Sequence, residues 1–141
     1  MKKFSNIDEN IQTTYKVGID IHGVIDRLPG FFSFLSDSII RNGGEVHIIT
    51  GGSWDEDLIN ELKSYNIKWT HHFSVYDYMI ENFKPIDGEV VFSDGTKQQK
   101  FKNSDWNKSK GDYCKKHNID FHIDDKDFYS QNFFTPFALL K

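Results

Sequence analysis

Short apolar runs and helix-spaced apolar sets alternate along this chain. Residues 16–21 read Lys-Val-Gly-Ile-Asp-Ile, an apolar run interrupted by Asp20. That pattern predicts a buried parallel strand with a functional group at its carboxyl end. After a turn-rich stretch over 23–30, Phe31, Phe32, Leu35, Ile39 and Ile40 recur at helical spacing up to Asn42-Gly43-Gly44, a helix stop. Residues 45–50 form a second strand that also ends in a polar residue, Thr50. Strand, helix and strand over this length make a βαβ unit, with a right-handed crossover expected.

Gly51-Gly52 predicts the next turn, and Ser53 followed by Glu56 matches a capping box. The helix it opens carries Leu58, Ile59, Leu62 and Tyr65 on one face, and 67–73 reads as a third strand. A short helix over 76–83 is expected before Pro85. From there the period changes: 89–93 and 96–101 flank Asp94-Gly95, a two-residue hairpin signal. Ser109-Lys110-Gly111-Asp112 opens a further helix with Tyr113, Cys114 and His117 turned inward. Residues 119–125 form a fourth strand ending in Asp124-Asp125, and the tail supplies a last strand from near Thr135. The expected fold is α/β, a three-layer Rossmann-like domain with a mostly parallel sheet and a small β-hairpin insertion over 86–102.

Composition narrows this reading. A length of 141 residues suits one domain over 1–141, with 1–14 as a polar arm. Apolar residues at 38 % and charged residues at 27 % allow a packed core and argue against global disorder. A net charge of −4 gives no strong signal for nucleic-acid binding. No run approaches the roughly 20 apolar residues of a membrane span, and the polar start lacks the apolar stretch of a secretory signal. With one cysteine, Cys114, no internal disulfide can form, and a cytoplasmic location is expected.

Asp20, Thr50 and Asp124-Asp125 all stand at predicted strand ends, and a lysine opens the helix before the last of them. In an open parallel sheet such ends converge on one crevice. Phosphoryl transfer through an enzyme carboxylate needs such a set. A carboxylate nucleophile attacking an anionic phosphate requires a cation to offset repulsion, and paired acidic groups suit Mg²⁺. Thr50, Gly51 and the start of the helix expected at Ser53 offer hydroxyl and N–H donors to phosphoryl oxygens, and a lysine can neutralise developing charge.

Four segments carry a resemblance to the haloacid dehalogenase-like superfamily. Val17-Gly18-Ile19-Asp20-Ile21-His22-Gly23-Val24 resembles its first motif and Ile48-Ile49-Thr50-Gly51 its second. Lys110 resembles the third-motif lysine, with Lys108 as the alternative, and Ile123-Asp124-Asp125 the acidic fourth motif. The resemblance implies a small, capless or minimally capped phosphatase. Asp20 would form an aspartyl-phosphate, Thr50 would bind the phosphoryl group, and Lys110 would steady both. Asp20, the backbone carbonyl of His22, and Asp124 would hold Mg²⁺, with Asp125 either a direct ligand or one step behind them. The substrate would be a small phosphate ester or a phosphorylated macromolecule at an open site, covered at most by the hairpin or by another subunit of a homo-oligomer.

His22 departs from the family pattern, in which a second Asp protonates the leaving group and activates water. An imidazole can perform the same proton transfers; the alternative is a catalytically weak or inactive phosphate- or metal-binding relative. A phospho-receiver module uses similar groups, but its acidic pair precedes the phosphoacceptor strand, whereas here the pair comes last. His22, His47, His71, His72 and His122 are scattered over several elements without a Cys/His cluster, so no zinc site is expected. Asp26 reads as a turn residue and Cys114 as core.

Overall fold

The structure is a computed structural model describing residues 11–141; of the polar arm expected at 1–14, residues 1–10 lie outside the described residues. Strand β1 (Lys16–Ile19) passes through a wide turn at Ile21–Ile25 into helix α1 (Pro29–Arg41) and strand β2 (Glu45–Thr50). Helix α2 (Glu56–Ser64), strand β3 (His71–Ser74) and helix α3 (Val75–Asn82) follow. Strands β4 (Ile86–Val91) and β5 (Lys97–Lys100) form the hairpin. Helix α4 (Asn103–Lys116), strand β6 (Phe121–Asp124), the single turn α5 (Asp127–Ser130) and strand β7 (Phe137–Leu139) complete the chain.

Five parallel strands lie in the order β3-β2-β1-β6-β7. Two of the three inner strands, β1 and β2, show why the sequence reads as continuous apolar runs: Val17, Ile19, Val46, Ile48 and Ile49 are all buried, because helices cover both faces. On one face Val17, Ile19, Val46 and Ile48 meet Phe32 of α1 and Leu58 and Leu62 of α2. On the other, Ile49 meets Cys114 of α4. This is the expected three-layer α/β arrangement. Cys114 is core, as its apolar helix face implies.

Several boundaries differ from the sequence reading, and two share one cause. Residues 67–70 are not strand. Asn66 adopts φ 57°, and the N–H of Ile67 bonds the carbonyl of Leu62 at 3.0 Å. Asn118 adopts φ 55°, and Ile119 N–H bonds Cys114 O at 2.9 Å. Both are helix C-caps in which an apolar residue folds back on the last turn. Ile67 and Ile119 therefore close α2 and α4 instead of opening strands. Asp55, not Ser53, caps α2, accepting from Leu58 N–H at 2.9 Å. The chain at Trp54 is held by Asp77 at 2.9 Å, so the helix starts later than the capping-box reading places it.

Helix α4 begins at Asn103, not at Ser109. Its first turns are mostly polar and partly exposed, so they lack apolar periodicity. The hairpin has a three-residue loop, not a two-residue one: Phe92 N–H bonds Thr96 O and Gly95 N–H bonds Phe92 O, both at 2.9 Å, with Gly95 at φ 87°. The last strand starts at Phe137, two positions beyond Thr135. Phe101 is buried against Val75 and Met79 and anchors the end of the hairpin to α3. Among the described residues, no helix is long and apolar enough to cross a membrane.

Candidate active site

Asp20 follows β1 directly, and its N–H bonds Ile123 O at 3.0 Å, extending the β1–β6 ladder by one step. Thr50 ends β2 and Asp124 ends β6. These strands are the two neighbours of β1, so all three side chains stand at the carboxyl edge of the sheet where the chain's winding direction reverses. All three are buried. Lys110 reaches them from the middle of α4, not from a helix start as the sequence suggested. Its Nζ lies 3.3 Å from Asp20 Oδ1 and 2.7 Å from Asp124 Oδ2. Lys108 is exposed, and its Nζ sits 3.9 Å from Asp105 Oδ1 instead.

Two glycines make room for this arrangement. A Cβ on Gly18 would come 2.7 Å from His122 Nδ1, so the bare strand position admits the buried His122 ring. His122 Nε2–H donates to Asp124 Oδ2 at 2.9 Å, while Lys126 N–H donates to Oδ1 at 3.0 Å. At Gly23 the backbone takes φ 86°, and a Cβ there would collide with the Asp125 carboxylate. Asp26 accepts from Gly23 N–H at 2.8 Å, fixing the turn as the sequence anticipated.

Burial and charge pull the carboxyls apart. Burial pushes the Asp20 carboxyl up to about 7 against the pull of Lys110, and the nearby Asp124 charge adds to the rise. Asp124 is buried too, yet the His122 hydrogen bond and Lys110 outweigh that burial and hold it down at about 2. Lys110 is shifted upward: the Asp20 and Asp124 carboxylates overcome its desolvation. Asp124 is thus the fixed anion, Lys110 the fixed cation, and Asp20 the group poised to exchange a proton near neutrality.

A cavity of about 380 Å³ opens over these groups, lined by Asp20, His22, Thr50, Lys110, Trp106 and Phe92 among others. Phe92 comes from the hairpin, so that insertion overhangs the site. The His22 side chain is 62 % exposed, and its Nδ1–H donates to Asp26 Oδ2 at 3.3 Å. Three side chains escaped the sequence reading as site components. His122 orients Asp124. Tyr129 lies under Lys110, whose Nζ is 4.4 Å from the ring centre, and Trp106 Nε1–H donates to the Tyr129 hydroxyl at 2.9 Å. The glycine within β1 was a usable signal for His122; nothing local marked Trp106 or Tyr129.

The residues fit a hard divalent cation. Carboxylate oxygens of Asp20, Asp124 and Asp125 lie within 4.8 Å of one another. Asp125 Oδ1 is buried without a hydrogen-bond partner, an orphaned acceptor that a cation would satisfy. An all-oxygen set of this kind suits Mg²⁺ better than a softer metal. No protein-family model, curated protein or solved structure matches this chain.

Proposed function

We propose that the chain is a Mg²⁺-dependent phosphohydrolase of the haloacid dehalogenase-like type, acting on a phosphate ester through an aspartyl-phosphate at Asp20. The observation that supports it most is the convergence of Asp20, Asp124 and Lys110 on one buried point, within 3.3 Å of the lysine nitrogen. Asp20 attacks phosphorus, a P–O bond to Asp20 forms, and the P–O bond to the leaving group breaks. His22, on the cavity wall and held by Asp26, gives a proton to the leaving oxygen. It then takes one from the water that attacks phosphorus and frees Asp20. Thr50 and the N–H groups of the Gly51 turn bind phosphoryl oxygens, and Lys110 offsets charge on Asp20 and the transferring group. Mg²⁺ held by Asp20, the His22 carbonyl, Asp124 and Asp125 supplies positive charge that lets two anions approach. An open site suits either a small phosphate ester or a phosphorylated macromolecule. A reducing cytoplasm suits Cys114, a thiol that burial pushes up to about 12.

Release of inorganic phosphate from a panel of phosphate esters tests this reading. Release occurs with Mg²⁺, stops in EDTA, and falls roughly 10²-fold in His22→Asn. The second reading, a noncatalytic binder, is favoured by the outward lean of His22 toward Asp26, with Glu61 Oε2 3.8 Å away. It predicts no release from any ester while Mg²⁺ still binds.

The raised Asp20 carboxyl sets a pH dependence. Its folded value of about 7 exceeds the ordinary 3.8, so the metal-free fold keeps a proton that the unfolded chain has lost in between. The stability this contributes is complete at low pH and disappears as pH rises through 7. A cation must displace that proton. Mg²⁺ affinity therefore falls about tenfold per unit below pH 7 and levels off above it. Calorimetric titration at several pH values reads this directly; a flat profile from pH 5.5 to 8 contradicts it.

A further inference from the structure

The fold assembles a second group of ligating side chains at the opposite end of the sheet. Glu45 and His47 share one face of β2, and His71 is the register partner of His47 on β3. Tyr113 of α4 packs over them, beside His117 at that helix's end. Extended chain rises roughly 3.3 Å per residue, so His47 stands about 10 Å from Thr50 along β2. The cluster is therefore separate from the carboxylates around Asp20.

We propose that Glu45, His47 and His71 form a binding site for a borderline divalent transition metal, of which Zn²⁺ is the type. His47 Nε2 lies 2.8 Å and His71 Nδ1 3.7 Å from the same oxygen, Glu45 Oε1. Tetrahedral zinc with bonds of about 2.0–2.1 Å spaces its ligand atoms about 3.3 Å apart, between these two values. The donor set, two imidazoles and one carboxylate, suits zinc and discriminates against Mg²⁺. The His47–Tyr113 contact also fits. His47 Nε2–H donates to Glu45 Oε1 at 2.8 Å and Nδ1 lies 2.7 Å from the Tyr113 hydroxyl, so when an ion takes the Nε2 lone pair the ring proton moves to Nδ1 and is donated to the phenol oxygen. His47 is buried.

One movement is required. The His47 and His71 rings are stacked 4.3 Å apart and inclined by only 5°, whereas ring lone pairs lie in the ring planes and must converge on the ion. His47 is locked by its partners, but His71 is half exposed and its Nδ1 rests 2.8 Å from Thr70 Oγ1. His71 gives up that contact and tilts, and water takes the fourth position. The ion then clips the edge strand β3 to β2.

The test titrates Zn²⁺ into chelator-treated, dialysed full-length protein against a chromophoric chelator, with millimolar Mg²⁺ present to occupy the carboxylates near Asp20. The expected result is one zinc site in the wild type, weakened at least tenfold in His71→Asn and unchanged in His72→Asn, whose ring stacks on Trp54 instead. His71 is the substituted ligand because its exposure lets the variant fold; His47→Asn empties a buried position. Imidazole NMR signals of His47 and His71 shift with zinc in the wild type. Equal affinity in wild type and His71→Asn, zinc that Mg²⁺ displaces, or no zinc uptake at micromolar concentration each overturns the proposal.

Discussion

Asp20→Asn eliminates Mg²⁺-dependent phosphate release, by roughly 10⁴-fold or more, as expected when a nucleophile is removed from a machinery that acts as a unit. The substitution is nearly isosteric and keeps the contact with Ile123, so the fold survives. An amide cannot accept phosphate, and it offers the cation a weaker ligand. The buried carboxyl, pushed up to about 7 in the wild type, is also a source of instability once ionised. Asp20→Asn should therefore unfold at the same temperature as wild type or a slightly higher one in EDTA at pH 8. Equal phosphate release by both proteins, with matched circular dichroism, rules out Asp20 as the nucleophile.

Lys110→Met has the largest expected effect on stability. The lysine is fully buried and is the cation between Asp20 and Asp124. Methionine fills much of its volume but leaves Asp124 ionised beside a second carboxyl. Breaking a buried pair by removing one partner costs about 3–5 kcal/mol. Part of that is relieved because Asp20 can hold its proton to higher pH without the lysine. Urea denaturation in EDTA at pH 7.5 should lose about 3 kcal/mol, and Mg²⁺ should restore some of it by supplying a replacement charge. Phosphate release is lost in either case. Lys108→Met, at an exposed position, stays within about 0.5 kcal/mol and keeps its activity. A reversed order of effects places the working cation at Lys108.

The strands and helices were mostly readable because burial on both faces leaves a distinctive run of apolar residues, as in Val46, Ile48 and Ile49. Reading failed where a local signal had two physical causes. An apolar residue after an Asn looks like the first residue of a strand, yet at Ile67 and Ile119 it closes a helix through a left-handed Asn. Lys110 resembles a motif lysine in the sequence, but the helix-start position that sets it apart from Lys108 there does not hold in the fold. It lies deep in α4, where its neighbour Gly111 lets the backbone at Asn132 come close to the helix.

By itself the sequence determined the alternation of elements, the order of the strand-end carboxylates and hydroxyl, and the lysine between them. Each of these follows from local periodicity and spacing, which the chain carries wherever it folds. Tertiary structure alone decided which groups share a charge environment. Asp20 and Asp124 start from the same chemistry, and they separate to about 7 and about 2 only because burial, His122 and Lys110 act on them unequally. It also brought Glu45, His47 and His71 together, histidines that look scattered in the chain. Register between parallel strands is set by packing across the sheet, and no spacing within one strand records it.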